Sequence, residues 1–161
     1  MHTIVLIGYR GVGKSSIGRL LAEALGLPFV DSDDAILHFA QKPSVQSIWD
    51  EEGEDAWRAL EEEVVLGLLQ EGGVIALGGG ASQVTSINEA LKGLEHVLYL
   101  SAPINVILER LKGGERPSLR KSDAEMLEER HPIYLECASS EIDASGTVEE
   151  TLNAVKASLK G

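Results

Sequence analysis

The chain has 161 residues, 26 acidic against 14 basic, a net charge of −12 and one cysteine. An acidic balance of this size argues against a nucleic-acid partner, because phosphate backbones are bound by basic surfaces. A lone Cys137 leaves no internal disulfide and fits a reducing compartment, and no apolar run approaches the roughly twenty residues of a membrane span. The expectation is a cytoplasmic protein without membrane contact, a single domain over 1–161 acting as a monomer.

Thr3 to Ile7 is a short, branched apolar run suited to a buried strand. Behind it stands GYRGVGKSS, Gly8 to Ser16, and then a helical pattern over Lys14 to Leu25 in which Ile17, Leu20, Leu21 and Ala24 recur, closed by Gly26 and Pro28. Gly8, Gly13, Lys14 and Ser15 fit the spacing G-x-x-x-x-G-K-[ST] in the strand–loop–helix context that gives this motif meaning. Glycines let successive N–H groups point into one concavity, and the helix N-terminus adds partial positive charge, so the loop is suited to phosphate. Gly11, Val12, Gly13, Lys14, Ser15 and Ser16 are therefore the expected ATP-binding residues, with Lys14 reaching the β- and γ-phosphates and the Ser15 hydroxyl joining the shell of Mg²⁺.

Further strand-like runs follow at PFVD (28–31), VIAL (74–77), HVLYL (96–100) and, more weakly, SEIDA (140–144). Helical patterns cover 34–39, 52–71, 86–93, 104–112, 124–138 and 147–159, and the alternation predicts an α/β fold with a parallel sheet. Ligands bind outside the carboxyl ends of such strands, which directs attention to Gly8–Ser16, to DSDD (31–34) and to LGGG (77–80). The segment GGERPSLRKSD, 113–123, reads as a lid loop between two helices.

Asp31 and Asp33 close the second strand, where one carboxylate suits the metal's surroundings and the other a substrate hydroxyl; the competing reading is that Ser32, Asp33 and Asp34 cap the next helix. Gly78, Gly79 and Gly80 allow a ligand to lie against backbone, or form a plain turn. Arg58 has Glu54, Glu61 and Glu62 within helical reach, so a surface ion pair competes with a binding role. Arg130 differs, because Met126, Leu127, Tyr134 and Cys137 share its helical face and no carboxylate stands three or four positions away. An arginine on an apolar stripe needs an anion from elsewhere, either a structural acid or a substrate carboxylate. Arg116, in the lid, is placed to offset charge on a transferring phosphoryl group, or is a solvated loop residue. His2, His38, His96 and His131 share no ligand spacing, which leaves no expected metal beyond nucleotide-bound Mg²⁺.

In this order, GYRGVGKSSIGRLLA, DSD, GEDAWR, LGGG, ERPSL and ERHPIY resemble the shikimate kinase family over nearly the whole chain. The resemblance implies a P-loop kinase of the nucleoside-monophosphate-kinase-like three-layer fold, with a five-stranded parallel sheet of order 2-3-1-4-5, a substrate-binding helical region at about 33–61 and a lid at about 113–123. It implies the reaction ATP + shikimate → ADP + 3-phosphoshikimate, in the pathway to chorismate and aromatic amino acids, with Mg²⁺ as cofactor and two small-molecule substrates. By match of motif, Asp33 contacts the shikimate hydroxyls and assists deprotonation, Arg58 and Arg130 hold the carboxylate, and Gly78 to Gly80 line the ring site. Arg116 is then the lid arginine on ATP, and Asp31 acts with Ser15 around the metal. The sequence departs from the family pattern at Trp49 and Trp57, where phenylalanine is common, at PSL within the lid, and in a slightly short lid. IDASG lacks the arginine that some members place by the adenine, which leaves Arg110 as the expected stacking partner of that base.

Overall fold

The computed structural model describes residues 2–112 and 122–160. Five strands, β1 (Thr3–Ile7), β2 (Phe29–Asp31), β3 (Gly73–Ala76), β4 (His96–Ser101) and β5 (Ser140–Asp143), form one parallel sheet in the order β2-β3-β1-β4-β5. The helices are α1 (Lys14–Leu25), α2 (Ser32–Ala40), α3 (Val45–Glu52), α4 (Glu54–Glu71), α5 (Thr85–Lys92), α6 (Ile104–Leu111), α7 (Asp123–Cys137) and α8 (Val148–Lys160). This is the order and layering that the resemblance implies.

The central strands are buried on both faces, which is why they read as continuous apolar runs rather than as alternating ones. In β1 the period of two splits the residues between layers. Val5 and Ile7 pack with Val65 and Leu69 of α4, Ile87 and Leu91 of α5, and Tyr134 and Cys137 of α7. Ile4 and Leu6 pack on the other side with Ile17 and Leu21 of α1 and Val155 of α8. Fully burying each such side chain stabilises by about 1.5–3 kcal/mol.

A third, smaller cluster lies away from the sheet, where Ile36 of α2, Ile48 of α3 and Trp57 of α4 meet. The sequence pattern missed α3 and ran the next helix from residue 52. The structure starts a helix at Ser44, whose side chain accepts from the Ser47 N–H at 3.1 Å, and breaks it at Gly53, where φ is 90°. A side chain rarely adopts that backbone conformation, so Gly53 divides two helices that the charge-rich pattern had joined. The buried row of α4 is Trp57, Glu61, Val65 and Leu69. The end of the expected lid is revised as well, since Ser122 caps α7 and Asp123 is its first residue; the rest of that segment, with Arg116, lies outside the described residues.

Candidate active site

The carboxyl ends of β1, β2 and β3 open on a cavity of about 330 Å³. Of the residues expected from sequence, Gly11, Gly13, Lys14, Ser15, Ser16, Asp31, Asp33, Arg58, Gly78, Gly79, Gly80 and Arg130 line it. Two do not. Val12 is buried behind the loop, and its carbonyl accepts from Arg110 Nη1 at 3.2 Å. Arg110 Nη2 donates to the Gly146 carbonyl at 3.1 Å, so that guanidinium joins the phosphate loop to the turn before α8.

At the phosphate side, Lys14 is the first residue of α1, after Gly13 in a left-handed conformation with φ 105°. Its ammonium donates to the loop carbonyls of Gly8, at 2.5 Å, and Tyr9, at 3.2 Å. The Ser15 hydroxyl donates to Asp31 Oδ2 at 2.5 Å. Asp31 Oδ1 accepts from the backbone N–H groups of Asp33, at 3.0 Å, and Asp34, at 3.2 Å, so the cap of α2 is Asp31 itself and not the residues after it. Ser32 has a different duty, its hydroxyl accepting the Gly78 N–H at 2.9 Å and fixing the start of α2 to the glycine loop.

That glycine loop meets three of the candidate side chains in turn. A Cβ at Gly78 would stand 2.5 Å from Asp33 Oδ1, one at Gly79 would stand 3.2 Å from Arg130 Nη1, and one at Gly80 would stand 2.6 Å from Arg58 Nη2. Side chains at Gly78 and Gly80 would push aside the ends of Asp33 and Arg58, so the glycines leave room for the groups that approach them.

Arg58 Nη1 donates to Glu61 Oε1 at 2.6 Å, while Glu54 stands at 4.0 Å from Nε. The ion pair that competed with a binding role is not a surface one, since Glu61 is only 1% exposed. Burial pushes the Glu61 carboxyl above its ordinary range and outweighs the opposing pull of Arg58. Arg130 is 9% exposed, lies over the Tyr9 ring at 5.6 Å, and among the described residues forms no ion pair with a carboxylate. A nearly buried guanidinium aimed at the same loop as Arg58 sets two cations beside Gly79 and Gly80, with Asp33 next to them at Gly78.

Sequence reasoning passed over Glu61 as a site residue, although an acid at the i+4 position from Trp57 on an apolar row is a legible signal. It also passed over Tyr9 and Arg10, whose side chains reach Asp123. Among the histidines, His131 Nδ1 shares a hydrogen bond with the Tyr99 hydroxyl at 2.8 Å, which fits a structural role. Among the described residues no helix is long and apolar enough to cross a membrane.

Comparison with known proteins agrees with this geometry. The family model described as Shikimate kinase matches residues 10–160. A shikimate kinase of Halorhodospira halophila is 39% identical over 150 residues, 89% of this chain and 84% of the relative. A solved shikimate kinase from Acinetobacter baumannii in complex with shikimate superposes with a TM-score of 0.89 at 31% identity, covering 99% of this chain and 92% of that one. A gluconokinase from Sinorhizobium meliloti 1021, at 21% identity and a TM-score of 0.56, shares the fold alone. With a family model spanning nearly every element that builds the site, and relatives matching over most of their own length, the chain belongs to the shikimate kinase family.

Proposed function

We infer that the chain is active in the reaction of its family, the ATP-dependent phosphorylation of shikimate, and that the residues around the cavity divide that work as follows. The observation that carries the division is Arg130, nearly buried and without a carboxylate partner among the described residues, beside Arg58 at the glycine loop. Leaving a guanidinium so placed without an anion costs free energy, and a substrate carboxylate held between two arginines supplies one. The Acinetobacter baumannii relative carries shikimate, a carboxylate-bearing polyol of the kind these groups fit.

On this reading Arg58 and Arg130 bind the carboxylate, the backbone of Gly78 to Gly80 lies against the ring, and Asp33 faces the hydroxyls. The 3-hydroxyl oxygen attacks the γ-phosphorus, its proton passes to an Asp33 oxygen, and ADP leaves with the bridging electron pair. The N–H groups of Gly11 to Ser16 and the Lys14 ammonium hold the phosphates in line for that transfer, which is chiefly a matter of positioning and charge. Lys14 already spans the loop carbonyls of Gly8 and Tyr9, and so is restrained within reach of anything the loop holds. Arg110, tied to Val12 and Gly146, is proposed to border the adenine, and Arg116 to meet the phosphates from the lid.

Mg²⁺ is proposed as the cofactor, and Ser15 and Asp31 suit it, since a hydroxyl and a carboxylate 2.5 Å apart are hard oxygen donors of the few-ligand type that magnesium uses beside phosphates. Bound there with ATP, it would neutralise charge on the β- and γ-phosphates. The setting proposed is the cytoplasm, with a monomer acting on two small molecules and no nucleic acid, in keeping with the net charge of −12. A coupled ADP-release assay across shikimate, quinate, gluconate and nucleoside monophosphates tests the assignment. Turnover with shikimate far above the others is expected, and a preference for gluconate or a nucleotide would overturn it.

A further inference from the structure

Nothing in phosphate binding calls for an aromatic residue inside the glycine loop, yet Tyr9 is there, 1% exposed. Its hydroxyl donates to Asp123 Oδ1, its ring carries the Arg130 guanidinium at 5.6 Å, and its carbonyl accepts from Lys14 at 3.2 Å. The next residue, Arg10, donates from Nη2 to the same Asp123 oxygen at 2.8 Å.

Asp123 opens α7, and Arg130 stands seven residues on, two turns later on the same face and about 10 Å along the axis. One tyrosine therefore touches the helix at both ends of that span. One turn beyond Arg130, the Tyr134 hydroxyl donates to the Gly79 carbonyl at 2.6 Å. Arg130 is thus flanked by two attachments, one to the phosphate loop and one to the glycine loop.

The Asp123 carboxylate suits this duty. Burial works to raise its pKa, but the hydrogen bonds from Tyr9 and Arg10 and the charges of Arg10 and Arg130 outweigh burial and hold it below the ordinary range. A charged acceptor makes the stronger hydrogen bond.

We propose that Tyr9 and Asp123 are positioning residues for substrate binding, joining α7 to the phosphate loop so that Arg130 is aimed at the shikimate carboxylate. This rests on the reading of Arg130 as the carboxylate anchor. It gives the first turn of α7 a function in a reaction whose atoms it does not touch.

Tyr9→Phe keeps the ring under Arg130 and removes only the hydroxyl. Asp123→Ala removes the shared acceptor, and Asp123→Asn keeps an acceptor without the charge. Calorimetric titration of each full chain with shikimate, beside steady-state constants for shikimate and ATP, separates positioning from simple stapling. Tyr9→Phe and Asp123→Ala are each expected to weaken shikimate about five- to tenfold, as for loss of one hydrogen bond to a charged group, partly compensated. The ATP constant and turnover at saturating shikimate are expected to change less, the double variant to be no worse than the poorer single one, and Asp123→Asn to lie between wild type and Asp123→Ala. Equal losses for both substrates, additive losses in the double variant, or a lowered melting temperature with unchanged shikimate affinity would overturn the proposal. Arg130→Ala distinguishes the two readings. If it keeps full shikimate affinity, the anchor reading falls and the positioning role with it; if it loses affinity while Tyr9→Phe and Asp123→Ala do not, only the positioning role falls.

Discussion

The two ends of the cavity are built in different ways. The proposed phosphate end is built mainly from one contiguous loop, and its groups satisfy one another: Lys14 bonds its own loop, Ser15 bonds Asp31 at the end of β2, and Asp31 caps α2. The proposed carboxylate end draws Arg58 from α4, Gly78 to Gly80 from the turn after β3 and Arg130 from α7; Arg58 pairs with Glu61, while Arg130 forms no ion pair among the described residues. A loop that closes on itself can be read from a short motif. A pocket assembled from distant segments stores its specificity in long-range packing and, on the proposed reading, is completed by the anion that substrate supplies.

Substitutions at the two ends should therefore fail differently, the phosphate end in rate and the carboxylate end in affinity. Lys14→Ala removes a cation from the transferring phosphoryl group, and turnover is expected to fall by about 10³-fold or more, measured by single-turnover phosphoryl transfer. Near-normal turnover would detach Lys14 from the chemistry. Asp33→Asn keeps the shape beside Gly78 but loses the proton acceptor, with an expected loss of about 10²–10⁴ in turnover and a smaller change in shikimate affinity. Full activity in that variant would leave Asp33 a structural residue.

Arg58→Ala is expected to weaken shikimate by about 2–4 kcal/mol, because it removes a charge-assisted contact and also leaves the buried Glu61 carboxylate without its cation. ATP affinity in the same variant, followed by titration, should move little. The smallest effect concerns Glu61 itself. Its carboxyl is raised in the folded state mainly by burial, so the folded chain holds that proton more tightly than the unfolded one. The contribution to stability is present below the unfolded value and is lost as pH rises through the folded one. Glu61→Gln should accordingly flatten the decline in stability as pH rises above about 4.3, the ordinary glutamate value, as seen in urea unfolding at several pH values. Identical slopes for the two chains would show that the Arg58 charge compensates burial fully.

The difference between the two ends also explains what was legible beforehand. The strands announced themselves because burial on both faces selects branched apolar runs, and the phosphate loop because its function is carried by adjacent backbone N–H groups. Arg130 was visible by contradiction, as a charge on an apolar helical face. Helix α3 was hidden because Val45–Glu52 is short and its packing partners, Ile36 and Trp57, come from neighbouring helices. Glu61 was read as one of several acids near Arg58, since sequence spacing shows which residues share a helix face but not how deep that face lies. The contact of Tyr9 and Arg10 with Asp123 spans more than a hundred residues and has no local signature.

The central claim is that Arg130 and Arg58 recognise a carboxylate, and it is tested most directly by changing the carboxylate and the protein together. Shikimate and its methyl ester, which has the same ring and hydroxyls but no negative charge at that position, are titrated into the wild-type chain and into Arg130→Ala. The account predicts that the wild type prefers the acid by about 30-fold or more, equivalent to about 2 kcal/mol for a charge-assisted contact. Arg130→Ala should lose at least about tenfold of that preference, chiefly through weaker binding of the acid. An Arg130→Ala chain that discriminates acid from ester as strongly as the wild type would contradict the account.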